Sequence, residues 1–124
     1  MSDVHALREK ILAAEDLRRE AVFVPEWQET LYVRVLTARE RDAFETQQLE
    51  LAADDRTNEN IRARLVVLTC VNAEGVRLFG DKDADALGNK ASAALERLAK
   101  VALRINRVTE ADIRELEGKS PADL

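Results

Sequence analysis

Ala21-Val22-Phe23-Val24-Pro25-Glu26-Trp27-Gln28-Glu29-Thr30-Leu31-Tyr32-Val33-Arg34-Val35-Leu36-Thr37-Ala38-Arg39-Glu40 is the stretch that decides the fold. Two runs rich in β-branched and aromatic residues, 21–24 and 31–35, flank a polar break at Glu26 to Thr30. That pattern predicts two short strands joined as a hairpin. Pro25 cannot donate to a ladder, so it belongs at a strand end or edge. Period 2 places Leu31, Val33 and Val35 on one face, and Tyr32, Arg34 and Leu36 on the other. Thr37-x-x-Glu40 then reads as a capping box, which predicts a switch to helix at that point.

On the N-terminal side, Val4, Leu7, Ile11 and Leu12 recur at helical spacing, with Ser2 or Asp3 to cap them. The expected helix ends near Leu17. On the C-terminal side, the helix opened at Thr37 runs through Phe44, Leu49 and Leu51 to about Ala52. Asp54 to Asn60 reads as a turn. A third helix is expected from Asn58 to Asn72, with Ile61, Leu65, Leu68 and Val71 on its stripe. Its β-branched content makes a strand over 65–71 the competing reading. Ala73-Glu74-Gly75 is a turn, with Gly75 able to take positive φ. Val76 to Phe79 reads as extended. A long helix is expected over Ala84 to Asn106, with a break near Gly88. Its seam is Leu95, Leu98, Ala102 and Ile105. Thr109-Glu110-Ala111-Asp112 starts a last helix that Gly118 ends. The expected fold class is α+β: one mostly helical domain over 1–118, a small antiparallel β-hairpin near residues 20–36, and a flexible tail at 119–124.

Composition narrows the function classes. A chain of 124 residues has room for one core. Charged residues make up 35%, above the usual quarter, so much of the surface must carry charge. With 19 Lys and Arg against 24 Asp and Glu, the formal charge is −5. That opposes general affinity for nucleic acid or an anionic membrane. The longest apolar run, Leu65 to Leu68, is too short to span a bilayer. The first ten residues lack a signal-peptide core, so a cytoplasmic location is expected.

Reactive side chains are few. His5 and Cys70 are single, so neither a disulfide nor a His/Cys zinc site is expected, and no cofactor. Cys70 in an apolar run reads as a small hydrophobe. Asp81, Asp83 and Asp85 have the spacing of a calcium loop. The sixth position is Ala86 rather than Gly and the twelfth is Ser92 rather than Glu, so they read as helix-start carboxylates. No phosphate-binding glycine loop or nucleophile elbow is present. These absences point to a binding protein rather than an enzyme. Trp27, at the hairpin tip, either caps the core or anchors a partner. Leu78 and Phe79 near a turn carry the same two readings. Arginine outnumbers lysine 14 to 5. The excess reads either as surface pairing or as an interface rich in ion pairs.

The ordered series of segments resembles a known family. It runs Phe23-Val24-Pro25-Glu26-Trp27, Tyr32-Val33-Arg34, Leu36-Thr37-x-x-Glu40-Arg41-Asp42, Asn60-x-Arg62-Ala63-Arg64-Leu65-Val66-Val67, and Glu74-Gly75-x-Arg77-Leu78-Phe79. Over roughly residues 8–118 this is similar to the tail assembly chaperones of long-tailed, non-contractile (siphovirus-type) bacteriophages. The resemblance implies a non-enzymatic protein that coats and solubilises the phage tape measure protein and helps recruit tail tube subunits. It implies self-association into a ring or spiral, a place in the host cytoplasm and absence from the mature virion. It also implies a longer form made by a −1 frameshift, through which the tail tube protein is recruited. Glu117-Gly118-Lys119 can be encoded by a slippery heptamer, which fits a short product ending at Leu124. Candidate protein contacts are Trp27, Tyr32, Leu78 and Phe79, with Arg34, Arg62 and Arg64 as subunit-pairing charges. A small cytoplasmic adaptor or regulatory protein-binding domain is the alternative.

Overall fold

The computed structural model describes residues 2–53 and 60–116. It is an α+β fold. Helix α1 (Ser2–Ala13) leads through an irregular segment to strand β1 (Arg19–Val24) and strand β2 (Glu29–Arg34). Helices α2 (Ala38–Ala53) and α3 (Ile61–Thr69) follow, then strand β3 (Cys70–Val71). After a 3-10 turn at Asp81–Asp83 come α4 (Ala84–Gly88), α5 (Ser92–Ile105) and α6 (Glu110–Leu116).

The hairpin forms where the β-branched runs predict it. Arg19 lies opposite Arg34, Val22 opposite Leu31, and Val24 opposite Glu29. Strand β1 stops at Val24, just before Pro25. Gln28 closes the turn at φ 52, with its amide side chain donating to the Pro25 carbonyl at 2.8 Å. The sheet has a third strand in the order β1-β2-β3, with β3 antiparallel to β2 through Tyr32–Val71 and Val33–Cys70. The competing readings at 65–71 are thereby divided: helix through Thr69, strand at Cys70 and Val71. The expected start of that helix at Asn58 lies outside the described residues.

One face of the sheet builds the core. Val24, Leu31 and Val33 are buried there with Val22 packed alongside. Helix α5 covers them and also packs on α3. Its buried residues are Ala94, Leu95, Leu98, Ala99, Ala102, Leu103 and Ile105, and its alanines let α3 approach closely. Two ion pairs tie α5 to the hairpin: Arg97 with Glu26 at 3.0 Å, and Arg104 with Glu20.

The long helix over 84–106 divides into α4 and α5, with the expected break falling at Asn89–Ala91 just after Gly88. Three expectations shift. The first helix ends at Ala13, not Leu17. Val76 to Phe79 forms no strand, and only an isolated bridge joins Val71 to Arg77. Leu36 is in the core rather than opposite Leu31 and Val33. Strand β2 ends at Arg34, so the period-2 rule stops applying two residues earlier. The Leu36 N–H donates instead to Asn106 Oδ1 at 2.8 Å. Gly118 and the tail over 119–124 lie outside the described residues.

Candidate protein-binding groove

Beside β2 the sheet is unfinished. Strand β3 pairs with Tyr32 and Val33 only, which leaves Glu29, Thr30 and Leu31 without a strand partner on that side. The reason is local to Asn72. Its Oδ1 accepts from the Glu74 N–H at 3.0 Å and the Val76 N–H at 2.9 Å. An Asx-type turn of this kind bends the chain away from the sheet. Gly75 completes the turn at φ 86, a conformation that costs glycine little.

The returning chain then walls an open groove of about 620 Å³. Trp27, Leu31, Tyr32, Leu78 and Phe79 supply its apolar lining, and Glu29 and Glu74 stand beside them. Leu31 is buried, while Trp27, Tyr32 and Phe79 are half-buried. Trp27 and Phe79 also pack against the core, which is the core-capping reading of those residues. Leu78 is 44% exposed, a high value for an aliphatic side chain that is held in place. Its position is fixed from both sides. The Leu78 N–H donates to the Cys70 carbonyl at 3.2 Å. The neighbouring Arg77 donates to the Val67 carbonyl at 3.2 Å and pairs with Asp81 at 3.2 Å. Arg19 reaches over from β1 and donates to the Ala73 carbonyl at 2.7 Å.

Four of the seven candidate residues therefore meet in one place: Trp27, Tyr32, Leu78 and Phe79. The three arginines do not join them. Arg34 is folded inward. Its guanidinium grips Glu40 at 2.8 and 2.9 Å and donates to the Leu68 carbonyl at 2.7 Å. Glu40 in turn closes the expected capping box. It accepts from the Thr37 N–H at 3.0 Å while its own N–H donates to Thr37 Oγ1 at 3.1 Å. The Arg34 guanidinium holds the Glu40 carboxyl down to about 2, against an ordinary 4.5. Arg64 donates to Gln48 Oε1 at 3.3 Å and faces a separate hollow beside Phe44 and Val67. Arg62 is exposed on α3 near Gly88 and Ser92. Sequence reading missed Leu31, Glu29 and Glu74 as groove residues. Asn72 before a Gly-containing turn was the signal available for the unfinished strand.

Elsewhere the chemistry is quiet. Burial pushes the Cys70 thiol up to about 12, so it carries no thiolate near neutral pH. Asp83 caps the Gly80 N–H at 2.8 Å, and Asp85 accepts from Asn60 at 3.1 Å. Among the described residues, no group of three His, Cys, Asp or Glu side chains is placed to hold a metal. No described helix is long and apolar enough to cross a membrane. A groove with an apolar lining, a bare strand edge and two carboxylates is suited to holding an apolar peptide segment.

Comparison with known proteins agrees with a binding role. Residues 6–119 match the phage tail assembly chaperone family. No curated protein sequence matches the chain. Among solved structures, the tail assembly chaperone of bacteriophage HK97 is similar in fold, with a TM-score of 0.56 at 16% identity. That similarity covers 79% of this chain and 95% of the other.

Proposed function

The chain belongs to the phage tail assembly chaperones, and from that premise we propose that it coats the tape measure protein and keeps it soluble while the tail is built. No chemical step is involved. Apolar segments of the client rest in the groove beside β2, and copies of the chain self-associate as a ring or spiral along it. Repetition matters because each groove is small. Many weak contacts along one long client add through effective concentration. Recruitment of tail tube subunits by a longer frameshifted form, action in the host cytoplasm and release before the virion matures complete the reading.

The observation that carries it is the convergence of Trp27, Tyr32, Leu78 and Phe79 around an unfinished strand edge. Leu78 offers the cleanest test, because it is half exposed and outside the core. Co-expression of the chain with its phage's tape measure protein is expected to bring the latter into the soluble fraction. The Leu78→Glu chain, checked for native circular dichroism, is expected to leave most of it insoluble. Full solubilisation by that variant would remove the groove from the mechanism.

A further inference from the structure

The groove beside β2 is apolar but not neutral. Two carboxylates stand at it, Glu29 on β2 and Glu74 on the turn after β3. Both are exposed, and among the described residues neither is in an ion pair. The rest of the hairpin behaves differently: Glu20 pairs with Arg104, and Glu26 with Arg97. The arginines nearest the groove are held by other groups. Arg19 donates to the Ala73 carbonyl through Nε at 3.1 Å and through a terminal nitrogen at 2.7 Å. Arg77 pairs with Asp81 at 3.2 Å, and Arg34 with Glu40 at 2.8 Å. The groove therefore presents uncompensated negative charge beside its apolar lining.

The lining adds a second attraction for positive charge. Three of the chain's five aromatic side chains, Trp27, Tyr32 and Phe79, meet there. The face of an aromatic ring is electron-rich and draws a cation, most of all where water is partly excluded. A purely apolar occupant gains nothing from this. It also partly covers Glu29 and Glu74 without giving either a partner, which costs free energy. A lysine or arginine side chain matches both halves of the surface. Its aliphatic stem lies along the lining while its charged head reaches the carboxylates.

We infer that the groove selects a basic residue: its occupant is an apolar client segment that carries a lysine or arginine. The inference rests on the groove being the client-binding face, and it adds the chemistry that decides which segments settle there. An apolar groove alone would accept any exposed core segment. One that also demands a cation leaves its carboxylates unpaired against the wrong segment, and that difference is specificity.

Trp27 is the chain's single tryptophan and lines the groove, so its fluorescence reports occupancy. The probes are short blocked peptides of leucine and serine that differ at one central position: lysine, arginine or norleucine. Norleucine keeps lysine's stem and lacks the ammonium, so a merely apolar groove binds it most tightly. The expected order is the reverse, with the lysine and arginine peptides bound about tenfold more tightly than the norleucine peptide. Glu29→Gln/Glu74→Gln should abolish that preference. Glu50→Gln/Glu96→Gln removes the same net charge from exposed positions on α2 and α5 and should keep it.

Norleucine bound as well as lysine by the unmodified chain overturns the inference. So does a preference that survives in Glu29→Gln/Glu74→Gln, or one lost equally in Glu50→Gln/Glu96→Gln, which would trace it to overall charge. Trp27 emission that no peptide changes overturns it too. Tape measure solubility, read in parallel, separates the two ideas. If Leu78→Glu loses client but the peptides show no preference for a cation, only the inference fails. If Leu78→Glu still solubilises client, the proposed function fails whatever the peptides show.

Discussion

At the scale of single residues, Glu40 does two jobs with one carboxylate. It caps α2 through the Thr37 N–H and it neutralises Arg34, whose side chain is only 14% exposed. Thr37-x-x-Glu40 announced the first job in the sequence, because a capping box is local. The second was not legible. Arg34 reaches the Leu68 carbonyl across 34 positions, and an alternating strand pattern does not say which arginine will be covered. Asn106 is a similar case. Its side chain joins the Leu36 N–H to the Ala102 carbonyl, but in the sequence it reads only as a helix end. The dual role of Glu40 gives a pH signature. The carboxyl sits at about 2 in the fold, lowered chiefly by the Arg34 hydrogen bonds, against an ordinary 4.5. A lowered carboxyl contributes its stability fully above the ordinary value and loses it as pH falls towards the folded one. Glu40→Gln keeps a capping oxygen but no charge. It is expected to cost about 2 kcal/mol near neutral pH, the scale of a charged hydrogen bond. The gap from the unmodified chain should narrow steadily as pH falls from about 4.5 towards 2, since only the unmodified chain loses a charge there. Urea unfolding at neutral pH and near pH 3 checks both parts; a gap that stays constant would detach Glu40 from the acid response.

At the scale of elements, amphipathic spacing alone does not tell a buried helix from a waiting one. Helices α1 and α5 both carry aliphatic residues at helical intervals. The α5 stripe closes on β1, β2 and α3, whereas no described element covers the α1 stripe. The difference lies in what surrounds the stripe. Alanines at 94, 99 and 102 let α5 sit close to its neighbours, while Arg8, Glu9 and Lys10 crowd α1 with charge. The hairpin, the two capping boxes and the break after Gly88 were legible for the same reason: each depends on residues within one turn or one loop. Strand β3 was legible only as part of the competing strand reading over 65–71, because two residues are too short for a period. Four of the groove residues were readable as aromatic and aliphatic side chains near turns, but their meeting depends on that strand stopping at Asn72. The contrast between the helices can be measured. Leu98→Ala removes a fully buried side chain from α5 and is expected to cost about 2–5 kcal/mol. Leu7→Ala, of the same chemistry, should change the monomer's stability by no more than about 0.5 kcal/mol. Denaturant midpoints at low protein concentration decide it, and a large loss from Leu7→Ala would mean that α1 packs on its own domain.

At the scale of the whole molecule, apolar surface and net charge work against each other. Val4, Leu7, Ile11, Leu12, Phe23 and Leu78 all remain exposed, yet the formal charge of −5 opposes indiscriminate contact between copies at neutral pH. Self-repulsion therefore sets how much of that surface can be shown without indiscriminate clumping. The sequence isoelectric point is about 5.0, where the repulsion vanishes. Turbidity is accordingly expected to peak near pH 5. The aggregates should be native and reversible, because Glu40 is still ionised there and its grip on Arg34 holds. Adding alkali should clear the solution without a refolding step. Below the peak the chain turns cationic, and solubility should recover until carboxylate protonation begins to unfold it. Leu7→Glu removes an exposed aliphatic side chain and adds a negative charge, so its peak should be smaller and shifted to lower pH. Phe23→Thr removes apolar surface from the outer face of β1 with no change in charge. It should shrink the peak without moving it. Light scattering across the acid range distinguishes the three chains. If both variants precipitate as heavily as the unmodified chain, with only Leu7→Glu shifted to lower pH, then exposed apolar surface is not what drives association, and charge balance alone governs the solubility of this chaperone.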